Sequence, residues 1–360
     1  MTTVEERPGI AGARHALLRG NAARMENQPL EAVRAYREAV ELADASAEGT
    51  AVRADALRGV GIALLSLADW EEAASAYRES REAARELQDE RRLGLAETGL
   101  AATAFQRGDW RGAEIHYEAA RSHAEAAGDP QLLAQIDNNE GTLHAARGDS
   151  ARAELCFRRA LARFEDMREH PDAARAWNNL GLALTAQARW VEAVEAYTAA
   201  QGHCDREGQV EFSAQVLINR ARLELDRGRP AEGHSLAEAA WSLAERLDDG
   251  PVAAGALCLL GAAARARGDA VGATYWFRRS LARSDRGRAP LIEAETWEQI
   301  GQLYFDRGET ERAVSTWQYA RHLYRTLGAV TQVDRLLDRI ERHSSSAPPA
   351  ASPLRRDGAA

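Results

Sequence analysis

Residues 297–317 read WEQIGQLYFDRGETERAVSTW, and the order of features in that string decides the fold. Ile300, Gly301 and Tyr304 recur at helical spacing. Arg307-Gly308-Glu309 then interrupts the pattern, with Gly308 suited to the left-handed backbone that ends a helix. After the interruption Ala313 and Trp317 stand four apart, on one face of a second helix. The unit is therefore a helix, a tight turn and a helix.

The same unit recurs with a period of forty residues. The turns are Ala68-Asp69, Gly108-Asp109, Gly148-Asp149, Ala188-Arg189, Gly228-Arg229, Gly268-Asp269 and Gly308-Glu309, followed by Trp70, Trp110, Ser150, Trp190, Pro230, Ala270 and Thr310. Upstream runs a column of small residues, Gly61, Ala101, Gly141, Gly181, Ala221, Gly261 and Gly301, whose size lets helices approach closely. Downstream run Ala73, Ala113, Ala153, Ala193, Gly233, Ala273 and Ala313. Four residues further come Tyr77, Tyr117, Phe157, Tyr197, Ala237, Phe277 and Trp317, and then a third column from Ser80 to Ala320. These columns form the buried stripe of the second helices, and the Trp and Tyr residues are expected to be core. An earlier copy, offset by forty-one, aligns Gly20, Pro29, Ala32 and Tyr36, which makes eight copies.

The pattern resembles the tetratricopeptide repeat: Trp297, Ile300, Gly301 and Tyr304, or Trp177, Leu180 and Gly181, match its first half. Ala153 with Phe157 and Ala273 with Phe277 match its second half, and Pro130, Pro171, Pro251 and Pro290 open following repeats. The resemblance implies an all-α fold, a right-handed superhelix or α-solenoid of eight helix-turn-helix repeats. These fall at 8–48, 49–88, 89–128, 129–168, 169–208, 209–248, 249–288 and 289–328, together the span 7–328. Forty residues exceed the family's usual length of about thirty-four, adding about 9 Å of helix per repeat. Such long repeats resemble those of kinesin light chains and of Rap-type bacterial regulators.

Repeat six is the weakest, with Ala237 in the aromatic column and Pro230 opening its second helix, and is expected to be a point of flexure. Val333, Leu336, Leu337 and Ile340 recur at helical spacing, so residues 329–343 are read as a capping helix. The Ser-, Pro- and Ala-rich stretch 344–360 is read as a disordered tail.

Composition narrows the function. The net charge is −9, which argues against direct nucleic-acid binding. Every basic side chain is Arg, as a GC-rich bacterial genome would produce, and without Lys there is no phosphate-binding Gly-x-x-x-x-Gly-Lys loop. Cys156, Cys204 and Cys258 are far apart, fitting neither a disulfide framework nor a zinc site. In His203-Cys204-Asp205, neighbours in sequence point apart on a helix, so no nucleophile pair is expected. There is no signal-like or membrane-spanning apolar run. The expectation is a cytoplasmic, non-enzymatic protein, monomeric, without cofactor, metal, membrane or nucleic-acid partner.

In the resembled family the first helices line a concave groove, and the position two before the small column faces it. Here that position reads Leu18, Gly59, Gly99, Asn139, Asn179, Asn219, Leu259 and Gln299. An Asn ladder can pair through donor and acceptor with the backbone of an extended peptide. Asn138, Asn178 and Arg222 are read as its neighbours, while Arg58, Arg175 and Arg265 fall on groove-facing positions able to take a carboxylate. The family's chaperone-tail clamp needs Lys and is unsupported. The partner is thus expected to be another protein or peptide, held by a scaffold or adaptor. Two alternatives are a Rap-like receptor for a signalling peptide and a structural subunit of a larger assembly.

Overall fold

The computed structural model describes residues 8–167, 172–284 and 289–344, which are helix and short turn with no strand. Pro171, expected to open repeat five, and the tail from 345 onward lie outside the described residues. The chain divides into two compact units, Met1–Ala196 and Tyr197–Ala360. The first holds α1 (Pro8–Met25), α2 (Pro29–Leu42), α3 (Ala47–Ser66), α4 (Trp70–Glu86), α5 (Glu90–Gln106), α6 (Trp110–Ala127), α7 (Pro130–Ala146), α8 (Ser150–Asp166) and α9 (Ala173–Ala186). The division falls inside α10 (Trp190–Glu207). The second unit continues with α11 (Val210–Asp226), α12 (Pro230–Arg246), α13 (Gly250–Ala266), α14 (Ala270–Ser284), α15 (Pro290–Asp306), α16 (Thr310–Thr326) and α17 (Val330–Ser344).

The Gly-Asp turn works as a stop followed at once by a start. At the end of α3 the Ala68 amide donates to the Leu65 carbonyl at 3.1 Å and the Asp69 amide to the Leu64 carbonyl at 3.0 Å. These bonds satisfy carbonyls that the helix leaves open. The Asp side chain then caps the next helix: Asp109 accepts from the Gly112 amide at 2.9 Å and Asp269 from the Gly272 amide at 2.8 Å. Asp89, Asp129 and Asp249 do the same between repeats, accepting from Arg92, Leu132 and Val252 amides.

The closing residue needs positive φ, which Gly108, Gly148, Gly268 and Gly308 adopt at 76–80°. Ala68 and Ala188 hold φ of 58° and 56° at the equivalent places. A Cβ there is strained. Ala68→Gly should therefore stabilise the N-terminal unit by about 0.5–1 kcal/mol, after the entropy that Gly adds to the unfolded chain. Urea unfolding tests this, and a lower midpoint for the variant would contradict it.

Small and aromatic columns meet as knob and socket. A Cβ added at Gly61 would lie 2.7 Å from the Tyr77 ring, at Gly141 2.5 Å from Phe157, at Gly261 2.4 Å from Phe277, and at Gly301 2.4 Å from Trp317. The ring also presses on the next first helix: a Cβ at Gly59 would lie 2.6 Å from Tyr36, and one at Gly99 2.2 Å from Tyr77. Tyr36 and Tyr77 thus occupy the space between consecutive first helices. Ser80 and Ser280, in the third column, donate to the carbonyls of Ala54 and Ala254 at 2.8 Å.

Two expectations change. Trp70 and Trp110 are 38% and 41% exposed, because the first turn of a second helix projects beyond the core, and the Arg147 guanidinium covers Trp110 at 5.5 Å. Repeat six is packed: Ala237 is fully buried, in a cluster with Leu257 and Leu260 against which Trp241 and Trp276 pack. The division between units lies in α10 instead. Leu336 and Ile340 of α17 pack with Trp317 and Tyr324.

Candidate functional site

First helices line the cavities of both units, as the column argument requires. In the N-terminal unit α7 and α9 carry four of the Asn residues, and two of them bond to each other. Asn179 Nδ2 donates to Asn138 Oδ1 at 3.1 Å. Asn139 is half-buried, while Asn178, expected beside the groove, is buried at 4% exposure. One residue before the ladder is a turn of about 100°, which at Asn178 leads into the interior, while Asn138 in the same column stays half-buried. Ile218, on the same column, is buried too. Arg175 is exposed and pairs with Asp172 at 3.5 Å. Arg58 lies apart, in a cavity of about 260 Å³ among α1, α2, α3 and the start of α5.

Beside these, the N-terminal unit buries carboxylates by surrounding them with cations. Asp137 on α7, fully buried, accepts from Arg121 at 2.8 Å and from Arg163 at 3.0 Å, and forms an ion pair with Arg159 at 3.0 Å. Glu97 accepts from Arg81 at 3.1 Å and lies 2.7 Å from His116 Nδ1. Burial alone would raise its pKa, but those two partners hold it below the usual carboxylate range.

The C-terminal unit has the larger cavity, about 560 Å³, lined by α11, α13, α15, α16 and α17. Three expected residues, Arg222, Arg265 and Gln299, meet there. Arg222 pairs with Glu295 at 2.9 Å and Arg265 with Asp306 at 2.6 Å. Gln299 Oε1 and Arg265 Nε are buried with no hydrogen-bond partner among the described residues. Asn219 does not line this cavity and accepts from Gln215 at 3.3 Å.

Sequence reading missed the opposite wall. Glu298 accepts from Arg335 at 2.7 Å, from Arg339 at 3.3 Å and from the Tyr324 hydroxyl at 3.1 Å. Arg335 and Arg339 are four apart on α17, so one face of a helix read only as a cap presents two guanidinium groups. Glu298 was also legible as the single acid in the column of Arg58, Asn138, Asn178 and Cys258. Burial and the neighbouring Arg335, Arg342 and Arg265 push Arg339 below the usual arginine range, against the pull of Glu298. Burial raises the Asp226 carboxyl, partly offset by Arg222, and pushes the Cys258 thiol up to about 12. Such a thiol is not a nucleophile at neutral pH.

Among the described residues no cluster of His, Cys, Asp and Glu is arranged to hold a metal, and no helix is long and apolar enough to cross a membrane. Cys156, Cys204 and Cys258 are buried free thiols.

Residues 138–208 match the family model described as tetratricopeptide repeat. No characterised protein matches by sequence. Among solved structures, NprR in complex with its cognate peptide NprX is similar at TM-score 0.61 and 14% identity, over 81% of this chain and 84% of that one. A Rap protein complexed with competence and sporulation factor gives 0.58 and 10%, over 93% and 98%. Aspartyl phosphate phosphatase F from Bacillus subtilis gives 0.59 and 15%, over 77% and 71%. At these identities the likeness is one of fold. Knob-and-socket columns and paired helices give the chain the fold of an α-solenoid, within which residues 138–208 match the tetratricopeptide-repeat model.

Proposed function

We propose that the chain is a non-catalytic interaction scaffold that holds an extended segment of a partner protein or peptide, with the C-terminal cavity as its main seat. The observation that carries this reading is the pair of unsatisfied atoms, Gln299 Oε1 and Arg265 Nε, in a cavity of about 560 Å³. A buried acceptor and a buried donor without partners are costly unless something else supplies the bonds. A peptide backbone offers both an N–H and a C=O. Arg222, Arg265, Arg335 and Arg339 are paired with Glu295, Asp306 and Glu298, so an acidic side chain on that segment would bind by exchanging with one of these acids. The likeness to NprR and Rap proteins solved with peptides supports a peptide occupant.

A Rap-like receptor role is the second reading. It is favoured by the fact that Arg335 and Arg339 tie the cavity to the last helix, so an occupant that draws them from Glu298 would alter how α17 packs. A permanent structural subunit has no comparable observation in its favour.

Selection of binders from a displayed peptide library on the intact chain tests the reading. Selected peptides should lose at least tenfold in affinity against Arg265→Leu/Gln299→Leu, with melting of the variant within a few degrees of the parent. Peptides that bind the double variant as well as the parent would remove this cavity as the seat.

A further inference from the structure

The N-terminal cavity is built differently from the C-terminal one. Among the described residues, two of its cations are uncommitted. Arg91 pairs with Asp129 at 2.8 Å, and Arg92 holds both Asp55, at 2.8 Å, and Asp89, at 2.5 Å. The Arg24 and Arg58 side chains line the same space and form no ion pair or hydrogen bond among the described residues, and Arg58 Nε is buried without a partner there. Arg24 is exposed and Arg58 half-buried, and the buried Arg58 Nε–H is a donor whose bond an anion in this cavity would supply.

The third donor is Asn21, one turn before Arg24 on α1. The Tyr36 hydroxyl donates to Asn21 Oδ1 at 2.9 Å, and the Tyr36 ring is itself held against Gly59. With its oxygen engaged, the amide has its N–H groups left to give. Leu17 and Ile62 complete the wall with apolar surface. The uncommitted polar groups facing this space are therefore donors only, two planar forks and one amide.

We infer that this cavity binds a phosphate group. A phosphomonoester presents three terminal oxygens, one for each donor group, and carries close to two negative charges for two unpaired guanidinium ions. A carboxylate has two oxygens and one charge and would leave part of this set unmet. The volume of about 260 Å³ exceeds what a bare anion fills, and the Leu17 and Ile62 wall suits the carbon atoms that bear the phosphate. This inference concerns the N-terminal unit alone and is independent of the peptide reading.

Isothermal titration of the full chain tests it with three probes: capped phosphoserine (N-acetyl-O-phosphoserine amide), inorganic phosphate and N-acetylglycine. Capped phosphoserine should bind, and Arg24→Gln and Arg58→Gln should each weaken it at least tenfold. Arg24→Gln breaks no described interaction, so it reports on binding even where Arg58→Gln disturbs folding. Equal binding of inorganic phosphate assigns the site to the free anion, and tighter binding of the capped form to a phosphate borne on a larger molecule. Binding of neither phosphate, affinity unchanged in both variants, or tighter binding of N-acetylglycine would each overturn the inference.

Discussion

Trp317→Ala should destabilise the C-terminal unit by about 3–5 kcal/mol, the usual range for removing a fully buried large aromatic. Trp317 is 0% exposed and its ring fills the socket at Gly301. Its indole nitrogen donates to the Glu298 carbonyl at 3.2 Å. Phe305 lies 5.6 Å away, and the Arg339 guanidinium covers the ring at 5.4 Å. Alanine would leave a void beside a glycine, where no neighbouring side chain can grow into it, and would lose the extra hydrogen bond to the Glu298 carbonyl. Trp317→Phe should cost less than half as much, since it keeps most of the ring volume and loses mainly the hydrogen bond. Denaturant unfolding of both variants checks the ranking. A shift below about 1 kcal/mol for the alanine variant would mean that this socket is not a principal source of stability.

Asp137→Ala is the second large effect, about 3–5 kcal/mol, because one carboxylate answers three cations. Asp137 is fully buried, and its two oxygens form ion pairs with Arg121, Arg159 and Arg163. Without it, Glu140 remains for Arg121 at 2.7 Å and Arg159 at 3.4 Å, and Arg163 keeps no described anion. The three arginines are each 23–43% exposed at the side chain. Replacing any one of them by Gln should therefore cost about 1 kcal/mol or less, since part of each charge is solvated in any case. Urea midpoints of the aspartate variant and the three arginine variants measure the asymmetry. Equal costs for all four would refute the view that the buried carboxylate is the hub.

The columns were legible because each is set by a local rule. A glycine or alanine at the end of a first helix and an aspartate after it obey backbone geometry that a few residues contain. The pairing of Gly301 with Trp317 follows once helix, turn and helix are placed. Legibility failed where the side of a helix mattered more than its identity. Asn178 was read as a groove neighbour and is interior, because one residue's rotation separates the two surfaces. Trp70 and Trp110 were read as core and are part-exposed, because the first turn of a helix extends past the layer it packs on.

The candidate site was only partly visible for a related reason. Arg222, Arg265 and Gln299 were named from their columns, and they line one cavity. Glu298, Tyr324, Arg335 and Arg339 come from three helices whose convergence no periodicity encodes. Within α17 the sequence shows Leu336 and Ile340 as a buried stripe, but which acid its arginines meet depends on how α17 packs on α15 and α16.

The sequence by itself therefore determined the helices, their turns and the apolar seam between them, since these depend on spacings of three, four and forty residues. Tertiary structure alone decided which charges are answered and which are left open. Arg92 is satisfied by Asp55, thirty-seven residues away, while the Arg58 side chain, three residues after that aspartate, has no ion-pair or hydrogen-bond partner among the described residues. Ion pairing is settled by distances of a few ångströms between separate helices, and a repeat pattern specifies those helices without specifying the reach of their side chains.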